Sequence, residues 1–84
     1  MFSAFMRWAE RTRPDIHQRH WKRQAAIDAR RDDLHLDGMA RGLTWAESYK
    51  AACDAVRDAE REEAIRYYSE RFKVSLSEAR KAFP

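Results

Sequence analysis

The near absence of strand-forming patterns most constrains what this chain can fold into. Its 84 residues include only two valines, three isoleucines and two threonines, which are the residues that favour strands. Hairpins need turn residues, yet there are only two glycines and two prolines. Alanine, arginine and glutamate, which favour helix, are abundant instead. We therefore expect an all-α protein, a small bundle of three to five helices in a single domain over residues 1–84.

The supply of large apolar side chains is small for a domain of this size. Leucine, isoleucine, valine and phenylalanine together number 13, below the roughly 20% of residues that ordinary globular domains exceed. The net charge of +3 is too low to indicate disorder. We therefore expect a folded domain with a thin core that associates with a second copy, as a homodimer, or with a larger partner.

Residues that cap or break helices predict where the helices in the first half of the chain begin and end. Ser3 can cap a helix that continues to about residue 12, and Pro14 suits the first turn of a second helix that ends at residue 31 or 32. These two segments form a predicted basic helical hairpin over residues 1–32. Gly38 and Gly42 are typical helix terminators, and they predict a linker over residues 33–43.

The second half is predicted to be an acidic helix followed by a short one. Thr44 and Glu47 form a capping box, after which an apolar stripe follows at helical spacing: Trp45, Tyr49, Ala52, Val56 and Ala59. Ile65 lies nine residues beyond Val56, which is half a turn away on a straight helix. Either the helix breaks within residues 60–63, or one long helix packs against two different bodies. A second capping box at Ser75 and Glu78 predicts a last helix through Phe83.

Charge is segregated along the chain. Residues 1–31 carry a net charge of +5, residues 32–65 carry −5, and residues 66–84 carry +3. Arginine supplies 13 of the 17 basic residues, and its planar fork suits phosphate and carboxylate groups. The pattern fits a basic surface for nucleic acid, and it fits equally an acidic helix that pairs internally with basic neighbours.

Residues 69–83 carry the most informative motif, which includes the run Glu-Arg-Phe-Lys-Val-Ser at 70–75. This segment resembles the helix-turn-helix of GntR-like bacterial regulators. The resemblance implies that Phe72 and Val74 are buried turn residues and that Ser75 caps a recognition helix packed by Ala79, Ala82 and Phe83. It further implies DNA binding. The expected contacts come from this corner and from the basic second helix: Ser75, Ser77, Arg80, Lys81, Arg19, Lys22 and Arg23.

The alternative hypothesis is a protein-interaction module. The chain is similar in size and composition to accessory and inhibitor proteins of the phage or plasmid type, which dock on larger complexes. In that case the acidic helix and one aromatic side chain are the expected contacts: Asp54, Asp58, Glu60, Glu62, Glu63 and Trp21.

Other function classes receive no support from the motifs. Cys53 has no catalytic base at a recognisable spacing, and no glycine-rich phosphate loop is present, so we expect neither an enzyme nor a small-molecule substrate. We also expect no cofactor and no metal, because His17 and His20 lack further ligands at a known spacing. A single cysteine fits the reducing cytoplasm. No apolar run approaches the ~20 residues of a membrane helix, and we expect no membrane partner. A third hypothesis, weaker than the other two, is attachment to a membrane surface through Phe2, Phe5, Met6 and Trp8.

Overall fold

The computed structural model describes residues 14–84, and the predicted helix from Ser3 to about residue 12 lies outside them. Within the described residues a long helix, α1, spans Pro14–Ala40. Pro14 occupies the first helical position, where its missing N–H costs nothing. The helix continues through most of the segment predicted as the 33–43 linker, so that prediction is wrong and the connection shrinks to residues 41–44. Gly42, with a φ of 98°, follows the end of the helix, as predicted for a terminator.

Gly38 lies inside α1, where the chain approaches Ser48 of α2 closely. A Cβ atom at this position would stand 3.1 Å from the Cβ of Ser48 and still closer to its hydroxyl oxygen. Ser48 is 1% exposed, and its hydroxyl donates a hydrogen bond to the carbonyl oxygen of His35. Glycine here serves close packing between helices rather than helix termination.

The second helix, α2, spans Trp45–Phe72 without a break. The predicted capping box is confirmed: the Thr44 hydroxyl accepts from the Glu47 amide at 3.1 Å, and the Glu47 carboxylate accepts from the Thr44 amide at 2.9 Å. Of the two alternatives left open by the sequence, the continuous helix is the one observed.

α2 has buried residues on two opposite sides. Ala52 and Val56 are buried on one side, and Ile65, half a turn away on this continuous helix, is buried on the other. A short third helix, α3, spans Leu76–Lys81 and packs on α2 alone among the described helices. It ends two residues before the predicted end at Phe83.

The core of the described region is thin, as the composition predicts. Its fully buried apolar side chains are Ala52, Val56, Ile65 and Ala79. Residues 14–84 form an elongated unit, with a radius of gyration of 16.1 Å, compared with about 11 Å for a compact domain of this length. Neither long helix in residues 14–84 has the apolar content required to cross a bilayer.

Candidate interaction surfaces

The basic residues of α1 that were predicted to bind DNA lie against α2 and pair with its carboxylates. Arg23 donates from Nε to Glu63 Oε1 at 2.5 Å and from Nη2 to Glu70 Oε1 at 2.9 Å. Arg19 donates from Nη2 to Glu70 Oε2 at 2.8 Å and bonds Asp15 on its own helix at 3.2 Å. These guanidinium groups help to join the two long helices.

Glu63 lies inside the helix pair rather than on a partner surface. Its side chain is only 4% exposed, and its second oxygen lies 2.8 Å from His20 Nδ1. The His20 ring stacks on Tyr67 with centroids 4.1 Å apart. A protein docking on the outside of the helical hairpin that α1 and α2 form would not reach this carboxylate, although the sequence made it a candidate contact.

The ion pairs shift the pKa values of their members in the stabilising direction. The hydrogen bond to Glu63 raises the pKa of Arg23, and partial burial opposes this change only in part. Partial burial alone would raise the pKa of Glu70, but the hydrogen bonds and charges of Arg19 and Arg23 together lower it below its usual value. Both groups therefore favour their charged forms when the helices are packed.

A tight turn joins α2 to α3 at the predicted corner. Lys73 adopts the left-handed conformation, with φ 54° and ψ 43°, and the Val74 amide donates to the Ser69 carbonyl at 3.1 Å. The Ser75 hydroxyl caps α3 by accepting from the Glu78 amide at 3.1 Å. The predicted Ser75 cap is thus confirmed, but the Glu78 carboxylate pairs with Lys81 rather than completing a capping box.

The burial of side chains at this corner agrees only in part with what the resemblance to GntR-like regulators implies. Ala79 is completely buried, and Val74 and Phe83 are half-buried. Phe72, which the resemblance implied to be buried, is 55% exposed, and Ala82 is also exposed.

The predicted DNA contacts on α3 are mostly engaged within the chain. Arg80 makes a two-pronged bond to Glu62, with distances of 2.7 and 3.0 Å; this bond raises the pKa of Arg80 and lowers that of Glu62. Lys81 contacts Glu78 at 3.1 Å. Ser77 is exposed. Of the five basic residues predicted to contact DNA, Lys22 is the one without an ion pair in residues 14–84.

The predicted acidic contacts are partly neutralised as well. Asp54 pairs with Lys50 at 3.3 Å and with Arg57. Asp58 and Glu60 are exposed and make no ion pair within the described part of the chain. The acidic surface that remains available is therefore smaller than the sequence suggested.

An aromatic surface lies at the end of the hairpin where α1 connects to α2. We call it the tip surface; it consists of His35, Trp45 and Tyr49. The rings of Trp45 and Tyr49 stack with centroids 5.0 Å apart and planes at 11°, and the His35 ring meets both edge-on. Trp45 is 60% exposed and Tyr49 is 40% exposed.

Sequence reasoning missed the tip surface because it assigned Trp45 and Tyr49 to the apolar stripe that packs inward. The available signal was position: both residues lie within the first five of the helix, immediately after a loop, where little of the neighbouring helix remains to cover them.

A shallow apolar cavity of about 180 Å³ lies near the same end of the hairpin. It is lined by Leu34, Gly38, Leu43, Ala51, Ala52 and Ala55, with Asp37 and Arg41 also present. Within residues 14–84, no cluster of three or more histidine, cysteine or acidic side chains has the arrangement of a metal site. The chain matches no protein-family model, no curated protein sequence and no solved structure.

Proposed function

We propose that this chain is a non-enzymatic protein-interaction module and that its partner docks on the tip surface. The observation that carries the proposal is the stacked pair of Trp45 and Tyr49, both substantially exposed to solvent. Exposed tryptophan and tyrosine side chains supply much of the binding energy at protein interfaces, because they bury large areas and lose little rotamer freedom.

The pairing of the charged residues supports this choice over nucleic-acid binding. DNA affinity grows with the number of phosphates that basic side chains neutralise. Arg19, Arg23 and Arg80 already have carboxylate partners. In residues 14–84 there are 14 basic and 13 acidic side chains, so the described region presents little excess positive charge.

Affinity capture from an extract of the cells that carry the protein tests the proposal, after nuclease treatment to remove bridging nucleic acid. The test variant is Trp45→Ala with Tyr49→Ala, and the matched control is Phe72→Ala, an exposed aromatic residue elsewhere. Proteins captured by the wild-type chain and by the control should be lost with the test variant. An identical set of captured proteins from all three chains would refute the tip surface as the docking site.

The test variant is expected to fold. Trp45 is 60% exposed and Tyr49 is 40% exposed, so truncating them removes little buried packing. Circular dichroism checks that the helix content is unchanged.

DNA binding through the α2–α3 corner is the second candidate, favoured by the left-handed Lys73 and the capped start of α3. On this hypothesis Glu62 competes with phosphate for Arg80. The variant Glu62→Gln should then tighten binding to a fluorescent duplex, whereas Glu60→Gln, which removes the same charge from an unpaired residue, should change it less. Equal effects of the two variants would exclude Arg80 as a DNA contact.

A further inference from the structure

The side of α1 that faces away from α2 carries a second surface that no other described helix covers, which we call the outer face of α1. It comprises exposed residues that recur at intervals of three or four along the helix: Trp21, Ala25, Ala29, Asp32, Leu36 and Met39. Trp21 is 64% exposed, Leu36 is 65% exposed and Met39 is 42% exposed. Neither described neighbour helix covers this side, since α1 packs only on α2.

The order of large and small side chains on the outer face is self-complementary in an antiparallel arrangement. Trp21 lies at one end and Leu36 with Met39 at the other, about 22 Å apart at 1.5 Å per residue. Ala25 and Ala29 occupy the middle, where small side chains let two helices approach closely. If a second α1 crosses in the opposite direction, Trp21 of each copy meets Leu36 and Met39 of the other.

Charges beside the outer face select the same direction. Lys22 lies next to Trp21, and Asp33 lies near Leu36; both are exposed and neither forms an ion pair in residues 14–84. An antiparallel partner brings each Lys22 close to the other copy's Asp33. A parallel partner would set lysine against lysine and aspartate against aspartate, which is unfavourable.

We propose that the outer face of α1 binds a second copy of this chain, which lies antiparallel and is related by a two-fold axis near Ala29. A two-fold interface uses the same surface on both copies, which the arrangement of Trp21, the alanines and Leu36 allows. The dimer uses residues other than those of the tip surface and carries its two tip surfaces at opposite ends. Such a dimer holds two docking sites for a partner and gains affinity for any partner with two matching sites.

Sedimentation equilibrium of the full chain between about 1 and about 100 µM, a range that brackets affinities of ordinary dimers, tests the dimer. The wild-type chain is expected to approach twice its mass of 10.0 kDa. Leu36→Glu should leave it monomeric, whereas the control Leu76→Glu, at a leucine 50% exposed on α3, should not. A wild-type chain that stays monomeric throughout, or a dimer that survives Leu36→Glu, would overturn the proposal.

A charge swap tests the antiparallel direction. Lys22→Asp alone and Asp33→Lys alone should each weaken the dimer roughly tenfold or more, because each places like charges together. The double variant should recover most of the affinity, since every pair is then opposite in sign again. A double variant as weak as either single one would rule out this register. Loss of self-association would leave the tip-surface proposal standing, because a different protein can dock there on a monomer.

Discussion

The two ends of the helical hairpin are held together by different chemistry. Near the tip, α1 and α2 touch through small residues, with Gly38 directly against Ser48. Toward the other end they are bridged by long charged side chains, chiefly Arg23 with Glu63 and Glu70. We call these the close half and the ionic half. The contrast shows how a chain with few large aliphatic residues packs two long helices together. At one end small residues let the helices lie close to each other, and at the other end paired charged side chains fill the space between them.

Loss of Arg23 is expected to have the largest effect on stability. The variant Arg23→Met leaves Glu63 buried with His20 as its remaining polar partner, and an uncompensated buried charge costs about 3–5 kcal/mol. Urea unfolding at one fixed protein concentration measures the change. Arg30→Met is the matched control, because Arg30 is exposed and unpaired in residues 14–84; its effect should stay within about 0.5 kcal/mol. Equal losses of unfolding free energy in the two variants would mean that the ion pairs of Arg23 stabilise the fold no more than an exposed arginine does.

The close half is probed by Gly38→Ala. Alanine normally stabilises a helix by about 1 kcal/mol relative to glycine, but here the new methyl group would press on Ser48. We expect a loss of about 1–3 kcal/mol, the usual cost of overpacking. Adding Ser48→Ala should recover part of it, because the serine hydroxyl oxygen is the atom nearest to the new Cβ. A stabilised Gly38→Ala variant would show that the helices are farther apart than described.

The connection between α1 and α2 depends on the Thr44 cap. Thr44→Ala removes the acceptor for the Glu47 amide and should cost about 1 kcal/mol. Thr44→Ser keeps the hydroxyl and should cost much less. Both changes are measured by thermal unfolding, and an equal cost for the two variants would contradict the capping role.

A smaller loss of folding stability is expected at acid pH. The pKa of Glu70 is lowered in the folded chain, so its contribution to stability is complete above the ordinary value of about 4.5 and is lost as pH falls through the lower folded value. Stability in urea should therefore decrease between about pH 5 and about pH 3. Glu70→Gln should make this decrease shallower, whereas an identical pH profile in the variant would assign the acid sensitivity to other groups.

Local signals predicted much of the fold. The Thr44 capping box gave the start of α2, and the nine-residue offset between Val56 and Ile65 indicated a helix with two packing sides, which the structure shows as one continuous helix. Gly38 misled the prediction of the linker, because a glycine that ends a helix and one that admits a neighbouring helix look identical in sequence. Only the partner helix, through Ser48, distinguishes them.

The candidate surfaces were harder to predict because they also depend on residues that are distant along the chain. The sequence shows that Arg19, Arg23 and Arg80 are basic, but not that Glu70, Glu63 and Glu62 lie within reach, since these partners are separated by 51, 40 and 18 positions along the chain. Trp45 matched the inward stripe by spacing alone. Spacing along one helix does not show how far the neighbouring helix covers its first turn.

The most direct test of this account is a double-mutant cycle on Arg23 and Glu63. Unfolding free energies are measured for the wild-type chain, Arg23→Met, Glu63→Met and the double variant, with each chain first checked for helix content. If the arginine is committed to the buried carboxylate, the two residues should couple by about 2 kcal/mol, and the double variant should be more stable than Arg23→Met. Coupling below about 0.5 kcal/mol would mean that Arg23 is available to other ligands, including phosphate. That result would contradict the account, in which the charged residues hold the helices together and the aromatic tip surface binds the partner.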